Sequence, residues 1–342
     1  MQTRNSHNHR FKELDALRGM AAVMVMLFHF SIGRSLPFHF DYIRLGNTGV
    51  DLFFMISGFV IFMSFNHIVK SSQFIFNRFI RLYPTYWTVV TFTFLLIATV
   101  SYCTYHNWSN VPFSVYLANM TMFQEYLKVP DLDASYWTMI VEMNFYILML
   151  LLFRFRLFKF ITAIGFTICI AMQAIFFFGN AALIQAVINA APFFIYAPLF
   201  FSGVCFYQIH SGRGNKMVNY AGIALLLICQ LSAYKYIHNR MFMSQPEYFV
   251  MLVVYYLLFM AFVNHKLGFI VCRVTLFFGK ISYALYLIHQ YLSTVFIIPN
   301  LMSLFHFRYI AAAIVAFVVS TLLAALITYC IELPVRRWAF RK

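Results

Sequence analysis

Charged residues are scarce in this sequence. Only 10% of its 342 residues are Asp, Glu, Lys or Arg, whereas 63% are hydrophobic. A soluble domain carries roughly 25% charged residues, and a soluble fold of this size could not bury so much apolar surface. The composition excludes a soluble globular protein and predicts an all-α integral membrane protein. The net charge of +15 is spread singly between apolar runs. We interpret the basic residues as topology signals and not as a nucleic-acid patch.

Paired cysteines and glycine-rich loops are absent as well. The six cysteines form no C-x-x-C pair, and most lie within or beside apolar runs, so we predict small core residues and no metal site. The sequence shows no Gly-rich phosphate loop, internal repeat or low-complexity linker. Residues 1–30 resemble a secretory signal, but no A-x-A-like cleavage site follows. We therefore interpret this stretch as a first membrane span.

Ten apolar stretches approach the length of about 20 residues that a membrane-spanning helix needs. They cover residues 14–33, 48–68, 85–103, 136–155, 157–178, 188–209, 217–237, 247–265, 276–298 and 309–331. These spans predict a cytoplasmic N-terminal tail at 1–13, a ten-helix membrane domain at 14–331 and a cytoplasmic C-terminal tail at 332–342.

The distribution of Lys and Arg predicts the orientation. With the N-terminus in the cytoplasm, most of the 25 basic residues fall in cytoplasmic connections. The outer connections hold only Arg34, Arg44, Lys128, Lys235, Arg240 and Arg308. Cytoplasmic loops are enriched in Lys and Arg, so both termini are predicted to be cytoplasmic and the number of spans to be even.

Ionisable groups within spans mark candidate sites because their burial in lipid is costly. In the first span Arg18 and His29 are separated by about 16 Å of helical rise and about 20° of rotation, so they share a face. One hypothesis is a tunnel in which Arg18 meets an anion at the cytoplasmic mouth and His29 performs acid–base chemistry deeper in the membrane. The alternative is that Arg18 snorkels and pairs with Asp15 while His29 bonds a neighbouring helix.

Two acids lie within spans, in the predicted outer half. Asp51 follows the motif start GV in the second span, at a depth similar to that of His29. It is interpreted either as the group that orients the imidazole or as an acid at the helix start. Glu142 lies about two turns inside the fourth span with Tyr146 at i+4. We favour a site role for Glu142 because nothing else in that helix can neutralise it.

A pair of arginines precedes the third span. Arg78 and Arg81 lie at i and i+3 in an amphipathic stretch, FIFNRFIRLYPTYW, that Pro84 is expected to close. Two guanidinium groups on one face suit a nucleotide phosphate, and they equally suit an anchor in lipid headgroups.

A polar stripe follows one face of the ninth span. Ser282, Tyr286 and His289 fall at i, i+4 and i+7 on an otherwise apolar helix. Such a stripe lines a cavity or joins helices, and the sequence favours neither. No acid or histidine stands at metal-ligand spacing from His289.

Six motifs in chain order resemble those of membrane acyltransferase family 3. They are FKELDALRGMAAVMVMLFHF, GVDLFFMISGFVI, NRFIRLYPTYW, SYWTMIVEMNFYI, FGKISYALYLIHQ and IELPVRR, and they extend from about Phe11 to Arg337. The resemblance implies a ten-helix enzyme of the bacterial inner membrane that transfers an acyl group, commonly acetyl from acetyl-CoA, to a hydroxyl of a cell-surface or lipid-linked glycan. Acyl-CoA is then a co-substrate, with no permanently bound cofactor.

The resemblance also implies roles for individual residues. The catalytic set is His29, Asp51 and Glu142, the acyl-CoA-binding set is Arg18, Arg78 and Arg81, and the residues expected at the acceptor or cavity are Tyr136, Trp137, Tyr146, Ser282, Tyr286 and His289. His29 is expected to act as general base or as a transient acyl acceptor, and the sequence does not choose between them. Some family members carry an appended extracytoplasmic domain, which we do not find here. An O-antigen or exopolysaccharide acceptor is therefore favoured.

A transporter or flippase of a lipid-linked sugar is the rival hypothesis. It too would have many spans and buried polar groups. Paired gate charges and an internal repeat would favour it, and the sequence shows neither.

Overall fold

The computed structural model describes residues 11–32, 38–105 and 112–341, which are largely helical and contain no strand. The α-helices are α1 Lys12–Ser31, α2 Gly49–Ser64, α3 Ser71–Tyr105, α4 Phe113–Asn119, α5 Trp137–Arg154, α6 Ile161–Phe178, α7 Ala181–Ala190, α8 Phe193–His210, α9 Lys216–Ser232, α10 Gln245–Val263, α11 Arg273–Gln290, α12 Ile298–Leu304, α13 Tyr309–Ile327 and α14 Leu333–Ala339. Two π-helical segments, Tyr291–Ile297 and Thr328–Glu332, join α11 to α12 and α13 to α14.

Ten segments within the described ranges are long and apolar enough to cross a membrane. They are Lys12–Ser31, Tyr42–His67, Ser71–Cys103, Ala134–Arg154, Phe158–Phe178, Phe193–His210, Lys216–Tyr236, Gln245–Val263, Arg273–Leu304 and Tyr309–Ala339. The predicted all-α fold with ten spans is confirmed. Most of the predicted N-terminal tail, together with Arg34 and Lys342, lies outside the described residues.

Two helices extend beyond their predicted bounds at proline residues. Helix α3 continues through Pro84, which was expected to end the stretch before the third span. Packing against neighbouring helices lets a membrane helix tolerate the carbonyl that proline leaves unpaired. The last span also continues, through its π-helical segment and Pro334, as far as Ala339. The predicted C-terminal tail at 332–342 is therefore mostly helical.

Burial separates central from peripheral helices. In the most apolar stretch of the α2 span 72% of residues are buried, and in that of α8 78%, compared with 28% for α3, α6 and α13. Helix α8 packs on α2, α6 and α9, and α1 packs on α2 and α11. Helices α1, α2, α8 and α11 thus form the interior in which a site can be shielded from lipid.

Helices α1 and α11 meet backbone to backbone at two glycines. A Cβ atom placed on Gly19 would lie 2.5 Å from the amide nitrogen of Gly279, and one placed on Gly279 would overlap the carbonyl oxygen of Asp15. Only glycine permits this approach, as at other close helix contacts in membranes. The contact fixes the position of α1 relative to α11 about two turns after the start of each helix.

We expect Gly279→Ala to destabilise the protein. The added methyl group must displace the main chain of α1, and overpacking of this kind costs about 1–3 kcal/mol. Thermal unfolding of the purified protein in detergent measures the effect as a lower Tm. Gly268→Ala is the matched control, because a Cβ there has no atom within 4 Å and should leave Tm unchanged. Equal Tm values for Gly279→Ala and the wild type would contradict the backbone contact.

Candidate active site

Two histidines from distant parts of the chain are in contact. Nδ1 of His29, in the last turn of α1, lies 3.0 Å from Nε2 of His289, in the last turn of α11. The same Nδ1 is 2.8 Å from the carbonyl oxygen of Val25. His289 is completely buried, with its Nδ1 2.7 Å from the carbonyl oxygen of Tyr286. The polar stripe predicted on α11 therefore faces α1, and we call this pair the histidine dyad.

A pocket opens beside the dyad, at the end of the bundle where α1 ends. Its walls come from α1, from the start of α2, from residues 134–137 and from a short segment around His238 and Phe242. The Trp137 indole stacks on the His238 imidazole with ring centroids 4.9 Å apart. We call this cavity the histidine pocket, because the His29 ring forms part of its wall.

A second pocket lies further along α1, towards its amino terminus. Arg18, Ser57, Glu142 and Ser282 supply polar groups to its wall, and phenylalanines of α2 supply an apolar side. Val50 and Tyr286 line both pockets. The second cavity, called the arginine pocket below, thus adjoins the histidine pocket, and together they follow the face shared by Arg18 and His29.

Glu142 is the centre of a partly buried polar cluster. Its Oε1 accepts hydrogen bonds from the Ser57 hydroxyl at 2.8 Å and from the Tyr146 hydroxyl at 2.6 Å. Arg18 is close enough to Glu142 to interact with it electrostatically, as is Arg78. The carboxylate, which has a hydrogen bond but no cation as partner within its own helix, thus finds cationic neighbours on α1 and α3.

The three arginines lie near one another, and each is partly buried. The Arg78 guanidinium lies 5.7 Å from the centroid of the Tyr146 ring, and Arg18 is coupled electrostatically to Arg81. Along their helices Arg18 lies about 9 Å from the start of α1, and Arg81 about 15 Å from the start of α3. Their position at the cytoplasmic surface of the membrane stays a prediction. A buried carboxylate attracts cations across helix boundaries, which a count of charges along the chain does not register.

A family model of an acyltransferase domain matches residues 11–329. The matched range includes the histidine dyad, both pockets and the cluster around Glu142. The chain belongs to acyltransferase family 3. This multi-pass membrane acyltransferase matches no curated protein and no solved structure.

Asp51 lies apart from the dyad of the acyltransferase. It is completely buried, neither carboxylate oxygen has a hydrogen-bond partner of good geometry among the described residues, and it faces the phenol of Tyr248. Tyr196 and Tyr255 are its other electrostatic neighbours. Val50 lines both pockets. Asp51 is the next residue of the same helix, so its side chain points about 100° away from that of Val50. Asp51 therefore does not occupy the predicted position beside the His29 imidazole, where the structure places His289.

The predicted cavity residues divide into two groups. Trp137, Ser282 and Tyr286 line the pockets. Tyr146 instead binds Glu142, and the fully buried Tyr136 directs its hydroxyl to Thr93 of α3 at 3.2 Å. Tyr136 and Trp137 are adjacent in the chain, but the first contacts α3 and the second lines the histidine pocket.

Sequence reasoning missed the short segment between α9 and α10. His238 and Phe242 come from this connection, and Phe242 packs edge-on against Phe28 of α1. Arg44 holds the segment in place: it pairs with Glu247 at 2.5 Å and donates to the carbonyl oxygen of Phe242 at 2.9 Å. A connection without helical periodicity offers no pattern by which these residues could be recognised.

Asp133 holds the end of α11 next to the dyad. Its Oδ1 accepts from the amide of Ser135, and its Oδ2 accepts from the amide of Tyr291, both at 2.8 Å. Tyr291 begins the π-helical segment that follows His289 and Gln290, and such segments are frequent at functional sites. Burial raises the pKa of Asp133 to about 6 from the ordinary value of 3.8.

We expect the stability of the acyltransferase to fall between about pH 4 and pH 6 through Asp133. A folded-state pKa above the unfolded value means that the folded protein binds this proton more tightly. The resulting stabilisation is fully present below the unfolded pKa and is lost as the pH rises through about 6. The shift corresponds to about 3 kcal/mol. Tm measured against pH should show the decline in the wild type and a flatter curve for Asp133→Asn, and parallel curves would contradict it.

Proposed function

We propose that this acyltransferase transfers acetyl from cytoplasmic acetyl-CoA to a hydroxyl of a cell-surface or lipid-linked glycan, with His29 as general base. The observation that carries the proposal is the pair of adjoining pockets along α1. The wall of one pocket holds the Arg18 guanidinium, which has Arg81 as an electrostatic neighbour, and the wall of the other holds the His29 imidazole. In this proposal α1 begins on the cytoplasmic side of the bacterial inner membrane, and both termini are cytoplasmic.

The arginine pocket suits an anionic, elongated donor. Arg18 interacts with the carboxylates of Glu142 and Asp15, and Arg78 interacts with Glu142, so with Arg81 nearby three cations face two anions and the cluster retains an excess of positive charge. Guanidinium groups bind phosphate through paired, charge-assisted hydrogen bonds. The apolar wall on the other side of the pocket suits the thin pantetheine arm of a coenzyme A thioester. These features support acyl-CoA as the donor, and in this proposal its thioester end points towards the histidine pocket.

The histidine pocket suits a polyhydroxylated acceptor. The stacked rings of Trp137 and His238 offer an aromatic face to a sugar, and Asn47 and Gln290 offer amide groups to its hydroxyls. Small-molecule sites commonly combine apolar walls with a few placed polar groups of this kind. O-antigen and exopolysaccharide units are the acceptors that we propose.

The chemistry follows from a base placed between donor and acceptor. Nε2 of His29 removes the proton from the acceptor hydroxyl as its oxygen attacks the thioester carbonyl. The carbon–sulfur bond then breaks, and the coenzyme A sulfur leaves with the proton that His29 carries. The products are an acetyl ester and free coenzyme A. A transient acetyl-His29 would give the same products in two steps.

Transfer of labelled acetyl tests this proposal. The purified acyltransferase in lipid nanodiscs is incubated with radiolabelled acetyl-CoA and with O-antigen or exopolysaccharide units. We expect label in the glycan only when enzyme, donor and acceptor are all present. The absence of transfer, combined with movement of a lipid-linked sugar across vesicles that contain the protein, would overturn the proposal in favour of a flippase. Mass spectrometry of surface polysaccharide from a deletion strain would identify the acceptor in cells.

A further inference from the structure

Main-chain carbonyl groups fix the proton positions on His289. Its Nδ1 lies 2.7 Å from the carbonyl oxygen of Tyr286 and 3.2 Å from that of Leu285. A carbonyl oxygen only accepts hydrogen bonds, so this Nδ1 carries the proton. In a neutral imidazole the other nitrogen then has a free lone pair. The Nε2 lone pair of His289 is therefore available to Nδ1 of His29, 3.0 Å away.

The tautomer of His29 follows in the same way. Its Nδ1 has two acceptors nearby, the Val25 carbonyl oxygen at 2.8 Å and Nε2 of His289 at 3.0 Å. If Nε2 of each ring carried the proton instead, the Nδ1 lone pairs of His29 and His289 would face the carbonyl oxygens of Val25 and Tyr286. Nδ1 of His29 therefore carries the proton, and its Nε2 keeps the lone pair. No described residue is a hydrogen-bond partner of that Nε2, and the ring lines the histidine pocket.

We propose that His289 is the positioning residue of this active site, which rests on the proposed role of His29 as the base. Two acceptors on one nitrogen hold the His29 ring in a single rotation, so the unprotonated nitrogen stays directed away from α11. When His29 takes the proton of the acceptor hydroxyl, the imidazolium has a buried acceptor already in place for its Nδ1–H. His289 therefore acts on the reaction through His29 and without touching either substrate.

The partner is an imidazole for a physical reason. Serine hydrolases place a carboxylate behind the catalytic histidine. Here the corresponding position lies inside a membrane helix bundle and is completely buried, so a carboxylate would be an ion removed from water. A neutral imidazole also accepts a hydrogen bond from His29, and it does so without burying a charge before the reaction begins. Among the described residues no acidic side chain hydrogen-bonds either histidine.

The test compares His289→Gln with His289→Met in the labelled acetyl transfer assay. The amide of Gln reaches the position of Nε2 and offers an oxygen acceptor, whereas Met has a similar length and no acceptor for an N–H group. We expect His289→Met to lower kcat by about 10- to 100-fold, within the range of a lost contribution to general base catalysis. The KM values for acetyl-CoA and for the glycan should stay within about twofold, and His289→Gln should recover most of kcat.

Several outcomes would overturn the proposal. One is a kcat for His289→Met within about threefold of the wild type. Another is an equal loss in Gln and Met variants of equal Tm, which would show that His289 acts through packing alone. Should the Met variant fail to fold, His289→Asn replaces it, because its amide is too short to reach His29 and should lose activity while Gln retains it.

A parallel measurement separates this inference from the proposed function. If His29→Ala retains acetyl transfer, then the role of His29 as base is wrong and the positioning role falls with it. If His29→Ala is inactive while His289→Met is as active as the wild type, only the positioning role fails.

Discussion

We expect His29→Ala to abolish acetyl transfer while the protein remains folded and inserted in the membrane. The substitution removes one of the two imidazoles in the wall of the histidine pocket, the one that is paired with His289. A positioned general base contributes about 10²- to 10⁴-fold to a rate, and loss of an acyl acceptor would cost at least as much. Radiolabel incorporation into glycan measures the loss, and the amount of protein in the membrane fraction measures insertion.

His67→Ala is the matched control for that experiment. His67 is an exposed histidine in the turn after α2, outside both pockets, so its replacement changes the same residue type without touching the site. Normal transfer by His67→Ala together with none by His29→Ala would confirm the assignment. Near-normal glycan acetylation by His29→Ala would exclude His29 as the base.

The second large effect is expected at the donor end. Replacing Arg78 and Arg81 together by Gln should raise the KM for acetyl-CoA at least tenfold and change the acceptor KM little. A hydrogen bond to a charged group contributes about 1.5–3 kcal/mol, so loss of even one phosphate contact suffices for this change. The double replacement leaves Arg18 near Glu142, so this carboxylate keeps a cationic neighbour and the fold should persist.

Arg154→Gln combined with Arg156→Gln provides the control for lost charge. Both residues are exposed near the carboxyl end of α5, so this variant removes the same charge from the chain without entering a pocket. Its kinetics should match the wild type. A donor KM that is unchanged in the Arg78 and Arg81 variant would contradict the phosphate-binding role.

The spans and the shared face of Arg18 and His29 could be predicted from sequence, because hydropathy and helical periodicity are local properties. Both side chains do line adjoining pockets along α1. The orientation of the bundle in the membrane stays a prediction, since it rests on the distribution of Lys and Arg. Acyltransferase membership was likewise visible in six short motifs, and the family match confirms it.

The partners of the functional groups were beyond reach of the sequence because they depend on rotation and on contacts across helices. Depth suggested that Asp51 accompanies His29, but a turn of about 100° from Val50 directs it towards α10. The histidine that takes this place, His289, is separated from His29 by most of the chain. The position of the arginines depends in the same way on Glu142, which lies on another helix.

The glycine contact between α1 and α11 has a consequence for how the dyad can vary. Gly19 precedes His29 by ten positions, and Gly279 precedes His289 by the same number. The two helices run side by side in the same direction from that contact, so equal lengths of about 15 Å bring the two rings to one level. A single-residue insertion in either interval would rotate one ring by about 100° and separate the pair. Lengthening or shortening of one interval in a relative would therefore require a matching change in the other, and a glycine ten positions before a histidine in both helices would identify chains that can form the same dyad.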